Sequence, residues 1–285
     1  MPDFLNNPKT EQIITAALLE DIGPGDYTSL STIPKGLQAK ARCLIKDEGI
    51  LAGMEIARKI FGKVDAGLEM EGLLEEGSSV KYGDVAFFVS GDPRSILQAE
   101  RLVLNIMQRM SGIATYTHKV SQELKGLKCK VLDTRKTTPL IRHLEKWAVH
   151  IGGGVNHRFG LYDMVMIKDN HIDYAGGIPE AIQACKSYLK ANGLDLKIEV
   201  ETRNMEEVKI ALSEGGVHRI MLDNMSLEEM REAVNYIDGR TQTEASGGIT
   251  LERVRAVGET GVDYISMGAL THSVKSLDIS LKAVK

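Results

Sequence analysis

From residue 129 onward the chain repeats one unit: a short apolar run, a polar turn and an amphipathic stretch. The apolar runs are CKVLD (129–133), DMVMI (163–167), LKIEV (196–200), HRIML (218–222), TEA (243–245) and DYISM (263–267). Between most of them lie segments of helical period: PEAIQACKSYLK (179–190), MEEVKIALSEG (205–215), SLEEMREAVNYI (226–237) and LERVRAVGETG (251–261), the last ending on a helix-stopping Gly. This alternation builds a parallel sheet, because each helix carries the chain back to the end where the previous strand began. Six strands are visible where a complete barrel has eight. The expectation is therefore a β/α barrel short of strands or open on one side, with an open doubly wound sheet as the alternative.

The first hundred or so residues show no such repeat and read as a mixed α+β domain. EQIITAALL (11–19) places Ile13, Ile14, Ala17 and Leu18 on one helical face, and GPGD (23–26) is a turn. LQAKARC (37–43) alternates as a half-buried strand, and VAFFVS (85–90) is a second strand. After Asp92-Pro93 a long helix is expected from about Ser95 to Leu124, joining the two domains.

The formal net charge of -4 excludes bulk attraction to nucleic acid or anionic membranes, so an anionic ligand needs a local basic cluster. Cys43, Cys129 and Cys185 are odd in number, far apart and outside any C-x-x-C spacing. They read as packing residues in a reducing compartment. No basic leader followed by an apolar core opens the sequence, and no apolar run reaches membrane-spanning length. The expectation is a cytoplasmic protein.

The chemistry sits just after each strand: Thr134-Arg135-Lys136, Lys168-Asp169-Asn170-His171, Glu201, Asp223-Asn224, Ser246-Gly247-Gly248 and Gly268-Ala269. In a parallel barrel these turns share one face, so scattered polar groups converge on one site. Any one of them alone is ordinary loop polarity; six together are not. The basic half comprises Arg135, Lys136, His157, Arg158 and Lys168, with Arg142 and His171 as further candidates, and the acidic half is Glu201 and Asp223. Arg forks suit carboxylates, Lys suits phosphate, and the carboxylates suit a divalent metal or a developing positive charge. The small-residue turns SGG (246–248) and SMGA (266–269) offer backbone N–H groups to a phosphate. Gly152–Gly154 lack the spacing of a dinucleotide loop. His143, His150 and His157 recur every seventh residue, but the glycines interrupt any common helix. The first two read as neutral helix-surface histidines, and no protein-only metal site or covalent nucleophile stands out.

Long, ordered motifs then become recognisable: EDIGPGDYTS (20–29), AERLVLNIMQRMSGIAT (99–115), DTRKTTP (133–139), LEKWAVHIGGGVNHRFGLYD (144–163), IKDNH (167–171), EVE (199–201), LDN (222–224), EASGGIT (244–250) and GVDYISMGALTHS (261–273). In these the chain resembles the quinolinate phosphoribosyltransferase family over nearly its whole length. Departures are Leu140-Ile141-Arg142, where the family usually carries a Gly, and Trp147, where it carries Tyr. The resemblance implies a mixed domain over 1–114, rejoined by 273–285, and an incomplete barrel over 115–272 that holds the site. It assigns Arg135, His157 and Arg158 to the quinolinate carboxylates, and Lys136 and Lys168 to phosphoribosyl pyrophosphate and catalysis. Glu201 and Asp223 fall to the ribose hydroxyls, catalysis and Mg²⁺, held indirectly with pyrophosphate. Ser246, Gly247, Gly248, Ser266, Gly268 and His272 form the phosphate end. A homodimer or an assembly of dimers is implied as well, in which Arg101 of the long helix enters the partner's site. The competing readings are a paralogous phosphoribosyltransferase for another pyridine acid, a non-catalytic anion-sensing barrel, and a lyase using Lys168 as a Schiff-base nucleophile.

Overall fold

A computed structural model describes residues 4–284. Its internal contacts divide it into two compact units: residues up to 118 with 137–153 and 269 onward, and residues 119–136 with 154–268. The chain opens with α1 (Pro8–Ile22), α2 (Tyr27–Thr32), β1 (Ala39–Ile45), β2 (Gly49–Ile50), α3 (Met54–Val64), β3 (Glu69–Gly72), β4 (Ser79–Val80), β5 (Val85–Gly91) and α4 (Pro93–Glu123). It continues through β6 (Lys130–Leu132), α5 (Arg142–Ile151), β7 (Val165–Ile167), α6 (Asp169–Ala175), α7 (Ile178–Ala191), β8 (Ile198–Thr202), α8 (Met205–Ser213) and β9 (Arg219–Asp223). The remainder is α9 (Leu227–Ile237), β10 (Gln242–Ser246), α10 (Leu251–Gly258), β11 (Tyr264–Ser266), α11 (Ala269–His272) and β12 (Ile279–Ala283).

The first unit is built on an antiparallel sheet of order β12-β1-β5-β3. In β1 the alternation read from the sequence sends Ala41, Cys43 and Ile45 inward, and Cys43 faces Leu281 of β12 across the ladder. Phe61 of α3 meets Phe87 of β5 edge to face, with ring centroids 5.8 Å apart. The sequence reading did not resolve α3. Its apolar face is Ile56, Ala57, Ile60 and Phe61, and its first turn is capped at long range by Glu76, which accepts from Met54 N–H at 2.9 Å. Residues 137–153, placed with the barrel by the sequence boundaries, group with this first unit. Their helix α5 buries its apolar face, and His143 is buried with it rather than lying on the helix surface. Burial and the charge of Lys9 push the His143 pKa down to about 4.

In the second unit all six strands expected from the sequence are present and parallel, in the order β6-β11-β10-β9-β8-β7. This order is a cyclic permutation of the chain order. A barrel opened between its first and second strands gives that result, whereas a doubly wound sheet would reverse direction at a switch point. The fold is thus a mixed α+β domain with an incomplete β/α barrel. The free edge of β6 carries one further parallel bridge, Leu132 to Val155. Helix starts are set locally: Asn204 caps α8, and Ser226 with Glu229 forms a capping box on α9.

Candidate active site

Because the barrel strands run parallel, their carboxyl ends present Arg135, Lys168, Glu201, Asp223 and Ser246 from successive β/α turns of one unit. Arg135 and Lys136 are exposed, whereas Arg158 and Lys168 are partly buried. Burial and the neighbouring positive charge of Arg135 hold the Arg158 guanidinium below its ordinary pKa. Two neighbouring cations of this kind suit an anion, and Arg158 Nη1 donates to Met164 O at 3.2 Å.

Lys168 closes on the Glu201 carboxylate in an ion pair between β7 and β8 ends, and the Glu201 side chain is 8% exposed. His171, a substrate-binding candidate from the sequence, accepts the Lys168 backbone N–H on Nδ1 at 2.9 Å and so closes the first turn of α6. Asp223 is oriented by a residue that sequence reasoning left unassigned. Asn224 Nδ2 donates to Asp223 Oδ2 at 2.6 Å, and Asn224 N–H donates to Ser246 O at 2.9 Å. Asn224 adopts a left-handed conformation, φ 57°, and its side chain occupies the place where any side chain on Gly247 (φ +94°) would stand. The second small-residue turn departs from expectation: Met267 N–H is spent on Leu132 O at 3.0 Å and is not offered to a ligand.

His157 sits deeper than a surface ligand. Its backbone N–H donates to Asp133 Oδ1 at 2.8 Å, its Nδ1 accepts from Arg158 N–H at 2.6 Å, and its Nε2 lies 3.0 Å from Glu199 Oε2 and 3.3 Å from Glu244 Oε2. Arg219 Nη1 is 2.8 Å from the same Glu244 oxygen, and its guanidinium stacks on Tyr264. Burial works against a charged ring, yet the two carboxylates lift the His157 pKa to about 9. Burial and Glu244 raise the Glu199 carboxyl too, whereas His157 and Arg219 outweigh burial at Glu244 and hold it down. Nδ1 accepts from Arg158 N–H, so the ring's own proton stands on Nε2, and one further proton is held in common by His157 and Glu199. With either placement the two carboxylates, imidazole and guanidinium carry no net charge together.

Among the described residues, His157, Glu199 and Glu244 form the group whose ligand atoms lie within 4.8 Å of one another. Arg219 already occupies Glu244, and a metal on Nε2 would need a proton on the Nδ1 that accepts from Arg158, so this is an ion-pair cluster and not a metal centre. The sequence signal that could have exposed it is period two: Glu199 shares a strand face with Glu201, and Glu244 with Ser246. Arg101 lies exposed on α4, Arg142 donates through Nε to Thr137 Oγ1 at 2.9 Å, and His272 Nδ1 is 2.6 Å from Ser273 Oγ. All three belong to the first unit. Ser266 is buried.

Two family models cover the chain: quinolinate phosphoribosyl transferase, N-terminal domain, over residues 26–111, and the C-terminal domain of the same family over 113–282. The chloroplastic nicotinate-nucleotide pyrophosphorylase [carboxylating] of Arabidopsis thaliana is 50% identical over 95% of this chain and 81% of its own. A probable nicotinate-nucleotide pyrophosphorylase of Bacillus subtilis is 43% identical over 97% of this chain and 94% of its own. Among solved structures, NadC from Streptococcus pyogenes superposes with a TM-score of 0.92 at 38% identity, covering 97% of this chain and 98% of that one. With both domains matched in order and relatives alike along nearly their full lengths, the chain belongs to the quinolinate phosphoribosyltransferase family.

Proposed function

We propose that this chain transfers the phosphoribosyl group of 5-phosphoribosyl 1-pyrophosphate to the ring nitrogen of quinolinate, with loss of the adjacent carboxylate. The products are nicotinate mononucleotide, pyrophosphate and CO₂, a step of NAD biosynthesis. The observation that carries this reading is the pairing of two mutually repelling arginines, Arg135 and Arg158, with the carboxylates Glu201 and Asp223 on strand ends of one open barrel. A dianionic acid fits the arginines, and a cationic ribosyl carbon fits the carboxylates.

In this mechanism the C1–O bond to pyrophosphate breaks with its electron pair on the leaving group, and the pyridine nitrogen forms the new bond to C1. Lys136 and Lys168 neutralise the departing phosphates. Lys168 must leave Glu201 to do so, which frees that carboxylate to face the developing positive charge on the sugar. When the 2-carboxylate departs as CO₂ its bonding electron pair stays on the ring carbon, where the adjacent cationic nitrogen stabilises it as an ylide, and that carbon then takes a proton from solvent. Ser246, Gly247, Gly248, Ser266, Gly268 and His272 are assigned to the phosphate end, and His157 and His171 to the substrate side.

Magnesium takes few protein ligands, all oxygens, and completes its shell with phosphates and water. The hard oxygens of Glu201 and Asp223 fit that requirement, and the ion would neutralise pyrophosphate there. We also infer a homodimer or higher assembly in which Arg101 completes the partner's site; its exposure on α4 supports this. A cytoplasmic location belongs to the same reading. Burial pushes the Cys43 and Cys129 thiols up to about 12, as suits inert packing residues, and no helix among the described residues is long and apolar enough to cross a membrane. The test is to incubate the protein with quinolinate, phosphoribosyl pyrophosphate and Mg²⁺ and to measure nicotinate mononucleotide and CO₂ together. Nucleotide formed from nicotinate without CO₂ release, or no product at all, would overturn the assignment.

A further inference from the structure

The interior of a β/α barrel is ordinarily filled by branched apolar side chains in layers. Here the layer directly beneath the strand-end groups is charged. Glu199 lies two residues before Glu201 on β8, and Glu244 two before Ser246 on β10. Arg219 stands opposite Glu199 in the register, and both glutamates are fully buried. Removing carboxylates and a guanidinium from water costs several kcal/mol per ion, and well-packed apolar residues of similar volume are usually as stable or more so. Stability therefore does not explain this layer. Its geometry points to another role, because the ring wedged into it belongs to the residue before Arg158.

We propose that Glu199 and Glu244 are positioning residues that act through His157 to set the pocket for a pyridine dicarboxylate. The proposal rests on the activity inferred above. The His157 ring works as a pin with two ends. Its Nε2 is held from below, 3.0 Å from Glu199 Oε2 and 3.3 Å from Glu244 Oε2. Its Nδ1 receives the Arg158 backbone N–H at 2.6 Å, so the ring's orientation fixes the peptide that carries Arg158. The same turn is tied on its other side to Asp133, which accepts from His157 N–H at 2.8 Å and from Asn156 Nδ2 at 2.6 Å. Asp133 is the last residue before Thr134-Arg135-Lys136. One buried ring and one buried aspartate thus hold both arginine-bearing turns in register. Arg219 keeps the arrangement tight, with Nη1 2.8 Å from Glu244 Oε2 and 3.8 Å from Glu199 Oε2.

The consequence is specific to one substrate. Loss of either carboxylate frees the ring, loosens the Arg158 turn and weakens recognition of the dicarboxylate, while the phosphoribosyl half, built on Lys168, Glu201 and Asp223, is left intact. Steady-state kinetics of Glu199→Ala, Glu199→Gln, Glu244→Ala and Glu244→Gln with quinolinate, phosphoribosyl pyrophosphate and Mg²⁺ separate the possibilities. The alanine variants are expected to raise the quinolinate KM about tenfold or more, the loss of one charge-assisted contact, with the phosphoribosyl pyrophosphate KM within about twofold of wild type. The glutamine variants keep the volume and an acceptor oxygen, and are expected to restore part of the difference. Parallel rises in both KM values, or an unchanged quinolinate KM in folded alanine variants, would overturn the proposal. So would failure of the glutamine isosteres to fold, which would make the cluster purely structural. Inactivity of the wild-type protein itself would instead strike the assigned activity.

Discussion

Replacing Gly247 by alanine tests the link between backbone geometry and the acidic half of the site. Gly247 has φ +94°, and a Cβ there would stand 2.5 Å from Asn224 Cγ and 2.9 Å from Asn224 N, and closer still to Oδ1. The side-chain clash alone could be relieved by rotating Asn224, but the backbone nitrogen cannot retreat without stretching its 2.9 Å bond to Ser246 O. The left-handed backbone costs a residue with a Cβ about 1–2 kcal/mol. Loss of the Asn224 bond to the Asp223 carboxylate adds roughly 1.5 kcal/mol, taken at the low end because the pair is partly solvated. The expected loss is about 3 kcal/mol. Gly248→Ala is the internal control: φ is +56° and nothing lies within 4 Å of its added Cβ, so only the backbone cost of about 1–2 kcal/mol applies. Urea unfolding measures the stability difference, and steady-state kinetics should show a larger rise in the KM for phosphoribosyl pyrophosphate in Gly247→Ala than in Gly248→Ala, because only in the former does Asp223 lose its orienting partner. Identical behaviour of the two variants in both measurements would refute the reasoning.

Arg109→Ala should destabilise the protein by about 3–5 kcal/mol in urea unfolding, because it strips the guanidinium from the fully buried Glu145, which Nε and Nη2 hold at 3.1 and 2.8 Å; a loss below about 1 kcal/mol would show the pair to be dispensable. His143 stays neutral in the fold down to about pH 4, whereas the unfolded chain protonates near 6.5, so stability should fall as pH drops between those values, by up to about 3 kcal/mol. His143→Leu should flatten that part of the stability–pH curve, and an unchanged slope would contradict the depressed pKa. Arg158→Ala should raise the quinolinate requirement about 10–150-fold, and unchanged quinolinate kinetics would remove Arg158 from the site. Mixed and re-assembled Arg101→Ala and Lys136→Ala subunits should recover part of the activity that each lacks alone; no recovery after thorough exchange would exclude a shared site.

The barrel strands were legible because period and turn chemistry agree in each: a run such as HRIML followed by Asp-Asn can hardly be anything but a buried strand ending at a polar turn. The first unit was less legible. α3 begins at a left-handed Gly53 and draws its cap from Glu76, far along the chain, so no local N-cap announces it. His143 misled for a related reason: a histidine at a helical position is usually solvated, and only tertiary packing of α5 buries it. At the site, charged groups in loops were easy to single out, whereas Glu199, Arg219 and Glu244 were hidden inside strands read as apolar. Asn224 was hidden differently. Its value lies in a left-handed backbone that its neighbours impose, and a sequence does not print φ.

The cyclic strand order also dictates when each sheet can be finished. β7 to β10 each pair with the next strand along the chain, but β6 finds its strand partner in β11, where Lys130 lies beside Tyr264. β1 waits in the same way for β12, with Ala41 beside Ala283. Closing such long loops is slow compared with local pairing, so during synthesis both sheets stand incomplete until the final elements leave the ribosome. A chain stopped short of β12 would keep the hydrogen-bonding edge of β1 bare, a template for association with other chains. The pairing of β12 thus decides whether that edge of β1 is covered or left open to other chains.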